Sequence, residues 1–192
     1  MRAPASLTLL ALLAACATEG GEIAPAAVPV VSAPALLAQR LPAQAGAFRR
    51  GTTSPIERPL PGVEVAYSTS GRSAAGFVQV VSPADGPPPD GPGSVMVQEE
   101  YQRVVAGAQR GAGPHRRLRL VNELDEPPGT PLFRCAELEG AYGRTPVRST
   151  NCVGAAGGQL LRLRVSMPRR DPPLADPRAF VRDIAAGLRA GN

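Results

Sequence analysis

Several short segments of the chain alternate hydrophobic and polar residues with a period of two, which is the pattern of a half-buried β-strand. In residues 62–68 the apolar positions alternate with Glu64 and Ala66. Residues 76–82 form a nearly continuous run of aromatic and β-branched side chains, and a Ser-Gly-Arg turn sequence at 70–72 lies between the two segments. Together they predict a β-hairpin.

Five further segments have strand character. The clearest spans residues 159–167, where leucine and valine alternate with arginine. Residues 48–53 predict an edge strand, and the other segments read as additional strands of one sheet. The five segments are residues 48–53, 117–124, 132–138, 147–153 and 159–167.

Two longer segments repeat their apolar residues at the helical spacing. Residues 95–109 follow Ser94, a good N-cap, and residues 177–190 follow Asp176, another good N-cap, with Pro177 at the first helical position. The order of hairpin, helix, strands and helix predicts an α+β fold. We expect an antiparallel sheet of about five to six strands with two helices packed on one face.

The N-terminus has the features of a secretory signal. Arg2 is followed by an uncharged, leucine-rich run at residues 5–15. Eleven residues are too few to span a bilayer as a helix, which needs about twenty. A short basic start followed by a short apolar run is instead typical of a leader that is removed on export.

The leader ends in Leu13-Ala14-Ala15-Cys16, which resembles the lipobox of bacterial lipoproteins. The resemblance covers about sixteen residues and implies cleavage before Cys16 and diacylglycerol on its sulfur. It also implies an exported protein on the periplasmic side of a bacterial membrane. Ala17, in place of Asp, resembles lipoproteins of the outer rather than the inner membrane. An ordinary small-x-small cleavage site is the alternative and would release a soluble protein beginning at Thr18.

Composition divides the remaining chain into a linker and a domain. Residues 17–45 are rich in alanine, proline and valine with few charges, and several prolines interrupt any long helix there. We therefore expect residues 1–15 to be a signal peptide and residues 16–45 to be a lipidated cysteine with a semi-extended tether. Residues 46–192 are expected to form a single α+β domain.

Cys135 and Cys152 are the two cysteines left for the folded domain. They lie on two predicted strands, and a hairpin centred near Tyr142 and Gly143 would place them opposite each other. An oxidising compartment favours a disulfide between them. Two free buried thiols, or a redox pair, are the alternatives.

All basic residues of the chain are arginines, and the net charge is +5. If the leucines of two strands face the core, their neighbouring arginines share the opposite face of the sheet. Such a face can bind an anionic ligand or lipid headgroup, and an ordinary solvated face is the alternative. The candidate arginines are Arg117, Arg119, Arg134, Arg162 and Arg164.

No catalytic, metal or cofactor motif stands out. His115, the single histidine, lies in a Gly-Pro-His-Arg segment that reads as a loop, and no partners stand at metal-ligand spacing. The seven aromatic residues form no stacking series, which argues against nucleic acid as a partner. The sequence predicts a membrane-anchored, non-enzymatic structural or interaction module of the cell envelope, with an envelope protein or anionic lipid as partner. The alternative is a binding domain for an anionic ligand, which a deep apolar pocket beside the arginines would favour.

Overall fold

Within residues 31–111 and 116–190, which are the part of the chain that the computed structural model describes, one eight-stranded antiparallel sheet carries three helices. The helices are α1 (Ala33–Gln39), α2 (Val95–Arg110) and α3 (Pro177–Ala190). The strands are β1 (Gln44–Ala45), β2 (Phe48–Ile56), β3 (Gly62–Ser68), β4 (Ala75–Val81), β5 (Arg116–Glu126), β6 (Phe133–Tyr142), β7 (Thr145–Ala156) and β8 (Gln159–Pro168).

The strand order across the sheet is β1-β2-β3-β4-β8-β7-β6-β5. Consecutive strands pair as hairpins in each half, and β8 returns to pair with β4 and so joins the halves. Helix α2 connects β4, in the middle of the sheet, with β5 at its outer edge. The predicted hairpin is confirmed as β3 and β4, with Ser68 opposite Ala75 at the turn.

Helices cover both faces of the sheet, and each face has its own apolar cluster. Helices α1 and α3 lie on the face that we call the α3 face, where Phe180 and Ile184 pack among Val65, Val80 and Leu163. Helix α2 lies on the opposite α2 face, and its buried apolar residues pack there against residues of β5–β8. Those helical residues are Val97, Tyr101 and Val105, and their partners include Leu138 and Val153.

The α+β class is therefore confirmed, but the expected detail is wrong on two counts. The sheet has more than the five to six strands expected, and the helices do not share one face. On β7 the consecutive residues Cys152 and Val153 are both fully buried although they point to opposite faces. A strand covered on both sides loses its apolar-polar alternation, which is the signal that would have assigned the helices to faces.

Both predicted helix starts are confirmed. The Ser94 hydroxyl accepts a hydrogen bond from the backbone N–H of Val97 at 3.2 Å. The Asp176 carboxylate accepts from the backbone N–H of Arg178 at 2.8 Å. Each side chain satisfies a backbone donor that the first helical turn leaves without an internal partner.

The folded region begins before the predicted boundary at residue 46. Leu37, Ala38 and Leu41 are buried in the α3-face cluster, so α1 is part of the domain rather than of a tether. The Arg50 guanidinium donates to the carbonyl oxygens of Leu41 at 2.7 Å and Ala38 at 3.0 Å, and so fixes the end of α1 to β2. The predicted signal peptide, Cys16 and residues 16–30 of the predicted tether lie outside the described residues.

The disulfide between Cys135 and Cys152 is present. The two residues are directly opposite on β6 and β7, with Cα atoms 4.0 Å apart and an S–S distance of 2.05 Å. Both side chains are buried on the α3 face. The hairpin turns at Gly143, as expected, and the disulfide joins two inner strands of the sheet.

Candidate functional site

A cleft of about 590 Å³ lies on the α2 face, between the C-terminal half of α2 and the middle of the sheet. Residues of β3, β4, β7 and β8 form its floor, and residues of α2 form one wall. Pockets that hold small organic ligands have volumes of roughly 300–1,000 Å³. The cleft is therefore large enough to enclose such a molecule.

A buried carboxylate links α2 to the floor of the cleft. Glu100 is 3% exposed, although it is charged, because it lies between Val97 and Val104 on the side of α2 that faces the sheet. Its Oε1 lies 2.6 Å from Nε of Arg162 on β8, and its Oε2 contacts Arg103 one turn further along the helix. Burying two opposite charges is costly unless they meet directly, so these contacts fix the Arg162 side chain in the cleft.

Arg164 lines the cleft beside this ion pair. Its guanidinium carbon lies 5.0 Å from the ring centroid of Phe77 on the neighbouring strand β4, at a distance typical of a cation–π contact. The side chain is exposed, and no carboxylate of the described residues forms an ion pair with it. The contact with Phe77 orients the guanidinium while its N–H donors remain available to an anion.

Two buried polar residues of β7 form the floor next to these arginines. Asn151, opposite Arg164 in the register, donates from its side-chain amide to Oγ of Ser149 at 3.3 Å. Ser149 in turn donates to the carbonyl oxygen of Val165 at 3.2 Å. Polar side chains are costly beneath a helix unless they have partners, so this floor offers hydrogen-bonding groups already held in place.

The other end of the cleft is apolar. Val104 and Ala108 of α2 face Leu118 of β5 and Tyr142 at the end of β6. Leu118 pairs with Gly140, which lies two residues beyond Leu138 along β6. Leu118 therefore lies on the α2 face but away from the arginines of β8. The cleft therefore has a polar end, where Arg103, Arg162 and Arg164 outnumber the carboxylates of Glu64 and Glu100, and an apolar end, which suits a molecule with one anionic and one hydrophobic part.

Arg134 lies on the same face but outside the cleft. The Tyr101 hydroxyl donates to Oε1 of Glu123 at 2.5 Å, and the Arg134 guanidinium lies 3.8 Å from the same oxygen and 5.2 Å from the tyrosine ring centroid. Burial, reinforced by the hydrogen bond to Glu123, raises the pKa of Tyr101 well above its usual range. Because Arg134 contacts both the Tyr101 ring of α2 and the Glu123 carboxylate of β5, it helps to hold α2 against the outer strands.

The five candidate arginines do not share a face. Arg134, Arg162 and Arg164 lie on the α2 face, whereas Arg117 and Arg119 of β5 lie on the α3 face. The expectation of one arginine face is wrong because Leu118 faces the α2 cluster while Leu163 faces the α3 cluster. Alternation within one strand shows which of its residues point the same way. It does not show which of the two faces of the sheet those residues lie on, so arginines of different strands cannot be assigned to a common face from the sequence.

Sequence reasoning missed Glu100, Ser149 and Asn151. A signal was present for Glu100, because it lies three residues after Val97 and four before Val104, within the apolar stripe of the helix. The polar residues of β7 interrupt an alternation that Val147 and Val153 otherwise continue. His115 lies outside the described residues.

Comparisons with known proteins give no family to which the chain can be assigned. No protein family matches its sequence, and no curated protein matches it. Across residues 31–111 and 116–190, no three acidic, histidine or cysteine side chains come together in a way that would hold a metal ion. Nor is any helix in that part of the chain both long and apolar enough to cross a bilayer.

Proposed function

We propose that this chain is an exported bacterial lipoprotein, anchored through Cys16, whose domain binds a small amphiphilic anion in the cleft beneath α2. The ligand class is a molecule with a hydrophobic chain or ring and a carboxylate, phosphate or sulfate group. The proposed location is the periplasmic side of a membrane, the outer rather than the inner one, and the proposed role is binding without catalysis.

The observation that carries the proposal is the pairing of charge and apolar surface within one cleft of about 590 Å³. Arg164 presents donors beside Asn151 at one end, and Val104 and Leu118 line the other. A flat arginine surface would have favoured a purely structural or interaction role. A concave site with convergent polar groups instead favours a ligand.

The arrangement of Glu100 supports a binding role. Its carboxylate contacts both Arg162 and Arg103, and it is almost fully buried. A carboxylate held in this way orients the arginines around it. Arg164, which has no such partner among the described residues, is then the group that contacts the anionic end of a ligand.

Binding is tested with two probes that differ only in charge. Isothermal titration of the purified chain with dodecanoate and with dodecanol compares an anion with its neutral counterpart. We expect dodecanoate to bind more tightly, and Arg164→Gln to weaken its binding about tenfold, because a charge-assisted hydrogen bond contributes about 1.5–3 kcal/mol. Dodecanol binding should change little in this variant.

Two further variants make the result specific. Val104→Trp should block both probes by filling the apolar end of the cleft, whereas Arg49→Gln, an exposed change on β2 outside the cleft, should affect neither. If neither probe binds the folded chain, the ligand-binding role fails and the structural or interaction module becomes the better account.

The anchor is tested separately. The intact mass of protein extracted from membranes should show acyl groups on a chain that begins at Cys16, and Cys16→Ser should release the protein from the membrane fraction. A soluble product beginning at Thr18 would show that ordinary cleavage, not lipidation, processes the leader.

A further inference from the structure

A second group of arginines surrounds an open basin on the α3 face, beside the start of β7 and the end of β8. Arg148 lies on β7, and Arg169 and Arg170 follow directly after β8. The basin has a volume of about 560 Å³, and its lining is completed by Pro146, Asp171 and Pro173. The backbone N–H of Arg169 donates to the carbonyl oxygen of Pro146 at 2.9 Å, which fixes the path of the chain at the rim.

One carboxylate draws three of the surrounding guanidiniums together. Oε1 of Glu139 on β6 accepts from Nε and Nη2 of Arg148 at 3.3 and 3.1 Å. Its Oε2 lies 3.6 Å from Arg169 and 3.8 Å from Arg119, which is near enough for attraction but beyond good hydrogen-bonding distance. Arg169 and Arg119 therefore keep most of their N–H donors.

Positive charge exceeds negative charge around the basin. Arg119, Arg148 and Arg169 face the single carboxylate of Glu139, which is only 17% exposed. Arg170 adds a fourth guanidinium that forms no ion pair or hydrogen bond within residues 31–111 and 116–190, and Asp171 is the one acidic residue that lines the basin itself. The four guanidiniums carry far more N–H hydrogen-bond donors than the carboxylates of Glu139 and Asp171 can accept. Their planar, forked arrangement of N–H groups also matches the oxygens of a phosphate group.

We infer that this basin binds a phosphate group, presented either by an anionic lipid headgroup or by a soluble phosphate ester. The basin and the cleft lie on opposite faces of the sheet, so the inference does not depend on the ligand proposed for the cleft. It gives a use to Arg119, one of the arginines that the structure separates from Arg162 and Arg164.

The test uses the full chain carrying Cys16→Ser, so that acyl groups cannot cause membrane binding. One arm titrates inorganic phosphate and follows backbone amide resonances around Arg169 and Arg170. The other arm measures sedimentation with vesicles of equal parts phosphatidylglycerol and phosphatidylcholine, against vesicles of phosphatidylcholine alone. Binding should weaken as salt rises, because surface charges are screened.

Two variants should move binding in opposite directions. Arg169→Gln/Arg170→Gln should weaken it about twenty-fivefold, since each arginine close to an anionic surface contributes about a fivefold factor. Glu139→Gln should strengthen it severalfold, because the competing carboxylate is removed. Arg49→Gln/Arg72→Gln changes the same charge at exposed positions elsewhere and should have at most a small effect. Thermal unfolding of each variant checks that the fold is kept.

The outcomes separate the two sources of phosphate. A preference for phosphatidylglycerol vesicles indicates a lipid headgroup, and saturable binding of inorganic phosphate without that preference indicates a soluble ester. The inference is overturned if neither probe binds, or if the Arg169/Arg170 pair can be replaced with no more effect than the Arg49/Arg72 pair.

Discussion

Replacing both Cys135 and Cys152 with alanine should lower the free energy of unfolding by about 3 kcal/mol. The disulfide joins residues 17 positions apart in the chain. In the chain-entropy description, a crosslink of that span restricts the unfolded ensemble by about 3 kcal/mol at 25 °C. The two sulfur atoms are also buried in the α3-face cluster, so their removal adds a smaller loss of packing.

Equilibrium unfolding in urea, followed by circular dichroism, measures the effect. The midpoint should fall and the slope m should rise, because an unfolded chain without the crosslink exposes more surface. The wild-type chain unfolded in the presence of a reductant is the matched control, since it loses the crosslink but keeps both sulfur atoms. The difference between the two samples isolates the packing loss.

The reasoning is refuted if the reduced wild-type chain unfolds at the same urea concentration and with the same slope as the oxidised chain. That result would mean that pairing between β6 and β7 already restricts the unfolded chain as much as the covalent bond does. A loss confined to the alanine variant would instead assign the whole effect to packing in the core.

Three smaller changes test other parts of the structure. Burial raises the pKa of the Glu126 carboxyl above its usual 4.5, against the opposing effect of Arg182 and Arg178, so between pH 4.5 and the raised pKa the folded state holds a proton that the unfolded state releases. Stability should therefore fall as pH rises above 4.5, and Glu126→Gln should raise the melting temperature at pH 7 but not at pH 3.5; an equal change at both pH values would contradict this. Ser94→Ala should cost about 1 kcal/mol in urea unfolding by removing the N-cap of α2, and an unchanged midpoint would argue against the cap. Glu100→Leu should destabilise the fold less than Glu100→Ala, because leucine fills the space beside Val97 and Val104 while both variants lose the same charge; the reverse order would show that a leucine side chain does not fit there without strain.

The local elements of the fold could be predicted because their signals are local. The alternation in residues 62–68 and the stripe in residues 177–190 depend on neighbours in the chain, and both match β3 and α3 closely. Helix α1 falls within the segment predicted to be a tether, where prolines such as Pro34 and Pro42 exclude a long helix but leave room for a short one. Its burial depends on contacts with distant strands, which the segment itself does not encode.

The candidate site was predicted only in part, because it depends on how strands are arranged in space. Arg162 and Arg164 were identified from alternation in β8, and both line the cleft. Their separation from Arg117 and Arg119 follows from the pairing of β5 at the far edge of the sheet. The role of Glu100 depends on how α2 packs across the sheet, which brings its carboxylate to Arg162 of β8, a contact between residues far apart in the chain.

One of the two edge strands of the sheet, β5, has a feature that limits self-association. Its pairing with β6 shifts register between Leu120 and Asn122, and Val121 protrudes there with 48% of its surface exposed. Such a bulge, together with repelling cationic side chains such as Arg117 and Arg119, makes an open strand a poor template for a second copy. Molecules crowded together at high density should therefore remain separate instead of growing into continuous intermolecular sheets.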